Sequence, residues 1–109
     1  MSDLKVTIKK LIEFRNERDW EQFHNSKDLA LAISIEASEL LELFLWKGNE
    51  DFRSEKLEDE LADIFSFALL LAEKHNLDVS EIVEKKILKN SQKYPVSKAK
   101  GNAKKYNEF

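Results

Sequence analysis

The sequence predicts an all-α fold, a four-helix bundle assembled as a homo-oligomer, and three observations carry that expectation. Only two Gly and one Pro occur in 109 residues, too few for the many turns of a sheet protein. Apolar residues recur at helical spacing along most of the chain. Two of the helical segments are apolar on nearly every side, which requires partners on each flank. The absence of Cys removes disulfide staples and Cys-ligated zinc or iron–sulfur sites, so the fold must rest on burial. Mixed charges with a formal net charge of −3 and recurrent Leu, Ile, Val and Phe exclude a disordered chain.

In the first segment Leu4, Ile8, Leu11 and Ile12 lie on one stripe and predict an amphipathic helix to about Asn16. A polar connection follows over Glu17 to Lys27. The second helix is expected to open near Asp28 as N-cap and to run through Trp46, where Lys47-Gly48-Asn49 supplies a stop. Ser54 is positioned to cap a third helix that ends near His75 at Asn76. Asp78-Val-Ser-Glu81 matches a capping box for a fourth, which Tyr94-Pro95 closes. This divides the chain into a helical domain over 1–95 and a basic tail over 96–109, the tail expected to be extended or partly disordered. Residues 85–107 hold eight Lys and no Asp or Glu, so an acidic body meets a basic end.

Leu40, Leu41, Leu43, Phe44, Leu45 and Trp46 in the second helix, and Ile64, Phe65 and residues 67–72 in the third, leave almost no polar face. A chain with two further helices cannot cover both, so a homodimer or homotetramer is expected. The strongly apolar stretch from Leu61 to Ala72 falls short of the roughly 20 residues needed to span a bilayer. The N-terminal residues have no continuous apolar run of a secretory signal, and a cytoplasmic location is the expectation.

Against that apolar background four carboxylates stand out. Between Leu29 and Trp46 the charged residues are Glu36, Glu39 and Glu42, and Asp63 is the sole charge between Leu61 and Ala72. Glu36 and Glu39 interrupt apolar ridges, and Glu60 and Asp63 repeat their three-residue spacing, so each helix presents two carboxylates on one side. Four ionised carboxylates in a partly dry groove repel and lose hydration, which calls for a cation. Mg²⁺ prefers oxygen ligands and commonly joins carboxylates to substrate phosphates. Di-iron bundles need two Glu-x-x-His pairs on their helices, and this chain holds one such spacing, Glu21-Gln22-Phe23-His24 in the polar connection, while His75 follows Ala72 by three residues, which disfavours that chemistry. Glu42, Glu55, Glu58 and Asp59 read as surface charges.

In the fourth helix Lys86, Asn90 and Lys93 share a face and form a row of donors suited to a polyphosphate. The acidic body opposes nucleic-acid binding. Trp20, His24 and Trp46 are suited to hold a planar base, with core packing the default for Trp46. His75 reads as a helix-end surface residue.

These features resemble the MazG-like all-α nucleoside triphosphate pyrophosphohydrolases, particularly the small single-domain members of the dCTP pyrophosphatase type. The resemblance is carried by Glu-Arg-Asp-Trp-Glu-Gln-Phe-His at 17–24, Leu-Ala-Leu-Ala-Ile-Ser-Ile-Glu-Ala-Ser-Glu-Leu at 29–40, Trp46-Lys47, Glu-Leu-Ala-Asp at 60–63 and Lys-Ile-Leu-Lys-Asn-Ser-Gln-Lys-Tyr-Pro at 86–95. It implies Mg²⁺ ligation by Glu36, Glu39, Glu60 and Asp63. It places phosphate and sugar contacts on Lys86, Asn90, Lys93 and Tyr94, and base contacts on Trp20, His24, Trp46 and Phe67. Asp28, Leu45 and Phe67 stand where Asn, Gln and, in the dCTP-specific animal enzymes, Tyr are found.

The expected reaction is Mg²⁺-dependent cleavage of a (deoxy)nucleoside triphosphate between the α and β phosphates, giving a monophosphate and pyrophosphate, with Glu36 or Glu39 orienting the water. The family implies housecleaning of nucleotide pools. The competing reading of the same groove is a non-catalytic helical module that binds nucleotides or partners.

Overall fold

The computed structural model describes residues 3–108, and among these every regular element is helical. Helix α1 spans Leu4–Glu17, α2 Ser26–Glu42, α3 Ser54–Lys74, α4 Val79–Lys93 and α5 Val96–Ala99, with single 3-10 turns at Glu21–Phe23 and Tyr106–Glu108. The chain divides into two compact units, one reaching to Asn76 and holding α1–α3, the other starting at Leu77 and holding α4, α5 and the tail. The boundary expected at residue 95 therefore lies inside the second unit.

Within the first unit α2 packs along α3, and α1 packs on α3. Ser26 at the start of α2 shares a 2.8 Å hydrogen bond with Nε2 of His75 at the end of α3, so these two helices run antiparallel. Arg15 near the end of α1 donates to Glu73 near the end of α3 at 3.3 Å, so α1 and α3 end on the same side. Leu29, Leu69, Leu70 and Ala72 are buried where these helices meet. Leu29 is 2% exposed, and truncation to Ala should cost about 2–5 kcal/mol, read as a lower midpoint in urea unfolding.

Several helix ends differ from the sequence expectation. Asn25, not Asp28, caps α2: its Oδ1 accepts from the Asp28 N–H at 2.8 Å, and Asp28 sits in the first turn, where its charge favours the helix dipole. Helix α2 stops at Glu42, short of Trp46, and continues as a run of turns. The left-handed residue there is Trp46, at φ 62°, not Gly48. An edge-on contact between Phe44 and Phe52, centroids 5.6 Å apart, closes this connection on itself. Arg53, in extended conformation, precedes α3, and Ser54 is its first residue instead of its cap. Asn76 ends α3 as expected, at φ 56°.

In the second unit Asp78 caps α4 by accepting from the Glu81 N–H at 3.0 Å. The tail is folded where an extended segment was expected. The N–H groups of Lys98 and Ala99 reach the Pro95 carbonyl, and Asn102 Nδ2 donates to the Lys98 carbonyl at 2.7 Å. Tyr106 then meets Tyr94 edge-on at 6.2 Å, with the Lys93 ammonium 5.0 Å from the Tyr106 ring centre. An aromatic pair and a cation over the ring supply the ordering that the Lys-rich composition conceals.

Candidate active site

The antiparallel register that sets Ser26 against His75 carries the middle of α2 past the first half of α3, where the two acidic pairs meet. One carboxylate oxygen each from Glu36, Glu60 and Asp63 lie within 4.8 Å of one another. Glu39 stands beside Glu36 and Glu60, within hydrogen-bonding reach of each when one member holds a proton. Glu36 and Glu60 are half-buried, and Oε2 of each is enclosed without a hydrogen-bond partner. Burial, reinforced by the neighbouring carboxylates with Glu39 foremost, pushes the Glu36 pKa up to about 7. Burial followed by the charge of Glu39 also raises that of Glu60.

Two orphaned buried oxygens in an all-oxygen cluster are what a hard divalent cation would satisfy, so these residues fit Mg²⁺. The donor set offers no nitrogen or sulfur that would favour a softer metal.

Asp63 also borders a cavity of about 660 Å³ between α1 and α3. Its apolar lining comes from Leu11, Phe14, Trp20, Phe67 and Leu70, and its polar points from Thr7, Lys10, Arg15, His24 and Ser66. Phe14 and Trp20 meet edge-on at 5.7 Å, and His24 and Phe67 at 6.5 Å. Burial, with the nearby Arg15 charge second, holds the His24 pKa below 6.5, so the imidazole is neutral at pH 7. Its Nδ1 is buried without a partner. A mostly apolar cavity with a few polar groups beside a carboxylate cluster has the anatomy of a small-molecule site.

Of the residues singled out from sequence, the structure thus gathers Glu36, Glu39, Glu60 and Asp63 in one group, and Trp20, His24 and Phe67 around the adjoining cavity. Trp46 is in neither group: it is 94% exposed, against the expectation of core packing, because α2 ends before reaching it. Lys86, Asn90, Lys93 and Tyr94 belong to the second unit, where Lys93 and Tyr94 both contact Tyr106.

The sequence reading missed Arg15, whose side chain is 8% exposed and which lines the cavity. The signal was present, since Arg15 continues the apolar stripe of Leu4, Ile8, Leu11 and Ile12, but an arginine on an amphipathic helix is read by default as a surface charge.

Residues 31–109 match the model of the MazG-like family. A pyrophosphatase from Archaeoglobus fulgidus superposes with a TM-score of 0.81 at 35% identity, over 87% of this chain and 94% of that one. The dCTP pyrophosphatase 1 of Mus musculus is 38% identical over 105 residues, and that of Homo sapiens 36%, each match covering 89% of this chain. The chain spans about 62% of the length of these curated relatives. A family match over most of its length, with agreement in sequence and in helical fold over nearly the whole of a solved pyrophosphatase, establishes that the chain belongs to the MazG-like family.

Proposed function

We propose that this protein is a Mg²⁺-dependent nucleoside triphosphate pyrophosphohydrolase, cleaving a (deoxy)nucleoside triphosphate between the α and β phosphates. The observation that carries this reading is the convergence of Glu36, Glu60 and Asp63 within 4.8 Å at the edge of an aromatic-lined cavity. The relatives named above, dCTP pyrophosphatases and a pyrophosphatase, support the same chemistry.

In this reading Glu36, Glu39, Glu60 and Asp63 hold the ion. When bound, Mg²⁺ supplies positive charge against the carboxylates and the polyphosphate, offsetting repulsion that would otherwise exclude an anionic substrate. Glu36 or Glu39 orients the attacking water and takes up its proton at a carboxylate oxygen. The two side chains lie within hydrogen-bonding reach of one another, so the role belongs to the pair. The water oxygen forms a bond to the α phosphorus while the bond from that phosphorus to the bridging oxygen breaks, and pyrophosphate departs with the electron pair. Trp20, His24 and Phe67 hold the base in the cavity, where stacking and edge contacts to neutral imidazole orient the sugar and phosphates. Lys86, Asn90 and Lys93 share one face of α4 and, with Tyr94, form in the second unit a row of donors of the kind that phosphates and sugars accept.

Leu31, Ile35 and Leu41 on α2 and Phe65 on α3 are exposed, as is Leu45 in the turn that follows α2. That is more apolar surface than a lone small chain usually shows, which supports assembly as a homodimer or homotetramer. No helix among the described residues is long and apolar enough to cross a membrane. A role in cytoplasmic nucleotide-pool housecleaning accords with the proposed reaction.

The test is product analysis on a panel of deoxynucleoside triphosphates, with Mg²⁺ and with EDTA. Monophosphate and pyrophosphate in equal amounts, only with the metal, is the expected result. Stepwise release of inorganic phosphate would overturn the cleavage position. Nucleotide binding without any product would mark a non-catalytic module.

A further inference from the structure

Arg15 is the one buried charged residue among the described residues, 6% exposed overall, and none of the proposed catalytic roles uses it. Its guanidinium spends its donors on three elements. Nε donates to Asn16 Oδ1 at 3.0 Å on its own helix, Nη1 to Glu73 Oε2 at 3.3 Å on α3, and Nη2 to Glu21 Oε2 at 3.4 Å on the connection between α1 and α2. The same residue's carbonyl accepts the Trp20 N–H at 3.1 Å. Four residues after Arg15, Asp19 turns the chain at φ 55°, and the Glu21–Phe23 turn then delivers His24. Arg15, Glu21 and His24 also line a second, smaller cleft of about 190 Å³ that shares Arg15, His24 and Leu70 with the large cavity. Arg15 thus bonds the start of the short segment, at Trp20 and Glu21, and lines the same two clefts as His24 at its end.

We propose that Arg15 is a specificity-determining positioning residue: it clips the Trp20–His24 segment to the end of α3 and so fixes the indole and imidazole that read the base. This rests on the reading of the large cavity as a nucleobase site.

The physical reason is that, beside the Arg15 bonds, the segment is held by ring contacts, Trp20 against Phe14 and His24 against Phe67, which position rings without fixing the backbone between them. Trp20 and Phe23 are 43% and 63% exposed, Glu21 is exposed, and the Gln22 side chain bonds back to Asp19. The guanidinium is buried although its carboxylate partners reach solvent, and a planar charge-assisted fork fixed from the buried side is directional, whereas a lysine there would tether without orienting. Without the fork, Trp20 and His24 keep their chemistry but sample several positions. A displacement of about 1 Å in a positioning group is enough to cost binding discrimination.

The experiment compares Arg15→Ala, Arg15→Lys and Glu21→Gln with the wild-type protein. Glu21→Gln weakens the clip at a solvent-exposed residue and leaves the buried arginine with Glu73, so its fold is safe if Arg15→Ala proves unstable; circular dichroism checks each variant. Two readouts are taken across the four bases: kcat and KM for pyrophosphate release with Mg²⁺, and calorimetric affinity for the deoxynucleoside monophosphates in EDTA. The expected result for Arg15→Ala is a KM raised about 10-fold with kcat lowered less than about threefold, and discrimination between the best and worst base falling by a similar factor. Glu21→Gln shifts both in the same direction by less, and Arg15→Lys recovers part of the loss. Folded variants that keep the wild-type base ratio overturn the proposal, even if their turnover or stability drops, because that is what a merely structural ion pair would do. If the wild type binds monophosphates but releases no pyrophosphate, the proposed reaction fails while the clip is still decided: weaker, less selective binding by the variants supports it and unchanged binding overturns it. A wild type that binds none of the monophosphates overturns the base-site reading and this proposal together.

Discussion

Asp63→Asn is expected to lower kcat/KM for pyrophosphate release by at least about 100-fold while leaving the helical circular dichroism spectrum unchanged. Asp63 is exposed, on the side of α3 that faces α2, so the amide is accommodated without a cavity or a clash. It gives up a negative charge and one anionic oxygen in a cluster whose oxygens lie within 4.8 Å, which lowers affinity for a hard cation. Partial recovery at high Mg²⁺ would locate the loss in metal affinity. Near-normal turnover at ordinary Mg²⁺ would remove Asp63 from the site.

The second large effect is on stability, and its sign follows from proton binding. In the metal-free protein Glu36 holds its proton up to about pH 7, whereas an unfolded chain releases it near 4.5. Between those values the native state binds more protons than the unfolded state, so stability falls as pH rises. The shift of Glu60 is in the same direction and adds to the slope. Metal-free protein is therefore expected to be more stable near pH 4.5 than at pH 7.5 as far as this cluster is concerned.

Glu36→Gln removes the penalty at its source. Because water at the half-open groove screens the charge, a gain of about 1 kcal/mol at pH 7.5 is expected, a rise of about 5 °C in melting temperature. Mg²⁺ at about 100 times its dissociation constant should stabilise wild-type protein by about 2.7 kcal/mol, with a much smaller effect on the Gln variant. Differential scanning calorimetry with and without EDTA reads all of these. A Glu36→Gln variant that melts below the wild type in EDTA at pH 7.5 would show that Glu36 stabilises the groove as an ordinary hydrogen-bonded residue.

The acidic pairs were legible because charge placement on a helix is periodic. Glu36 and Glu39 break an apolar ridge, as Asp63 does, and no surface requirement explains them. The cap at Asp78 and the stop at Asn76 were legible for a similar reason, since each depends on one side chain and its immediate neighbours. The end of α2 was not. Leu43, Phe44, Leu45 and Trp46 have the composition of a helix, but after Glu42 the chain winds into turns, and Phe44 finds its partner in Phe52 beyond the connection. Trp46 consequently stands in solvent, a position that local propensity could not reveal. The folded tail escaped for the same reason: its Lys-rich composition says disorder, and its order comes from Tyr106 against Tyr94 and Lys93.

What the linear order of residues settled is the four long helices and the chemical character of the groove, because helical periodicity and the placement of carboxylates are local properties of the chain. The tertiary structure decided which groups meet. Antiparallel packing of α2 on α3 brings Glu36 within reach of Glu60 and Asp63, and the packing of α1 on α3 opens a cavity beside them and buries Arg15 in its wall. Those proximities join residues up to 58 positions apart. They follow from which apolar faces exclude water together, and no window along the sequence contains that information.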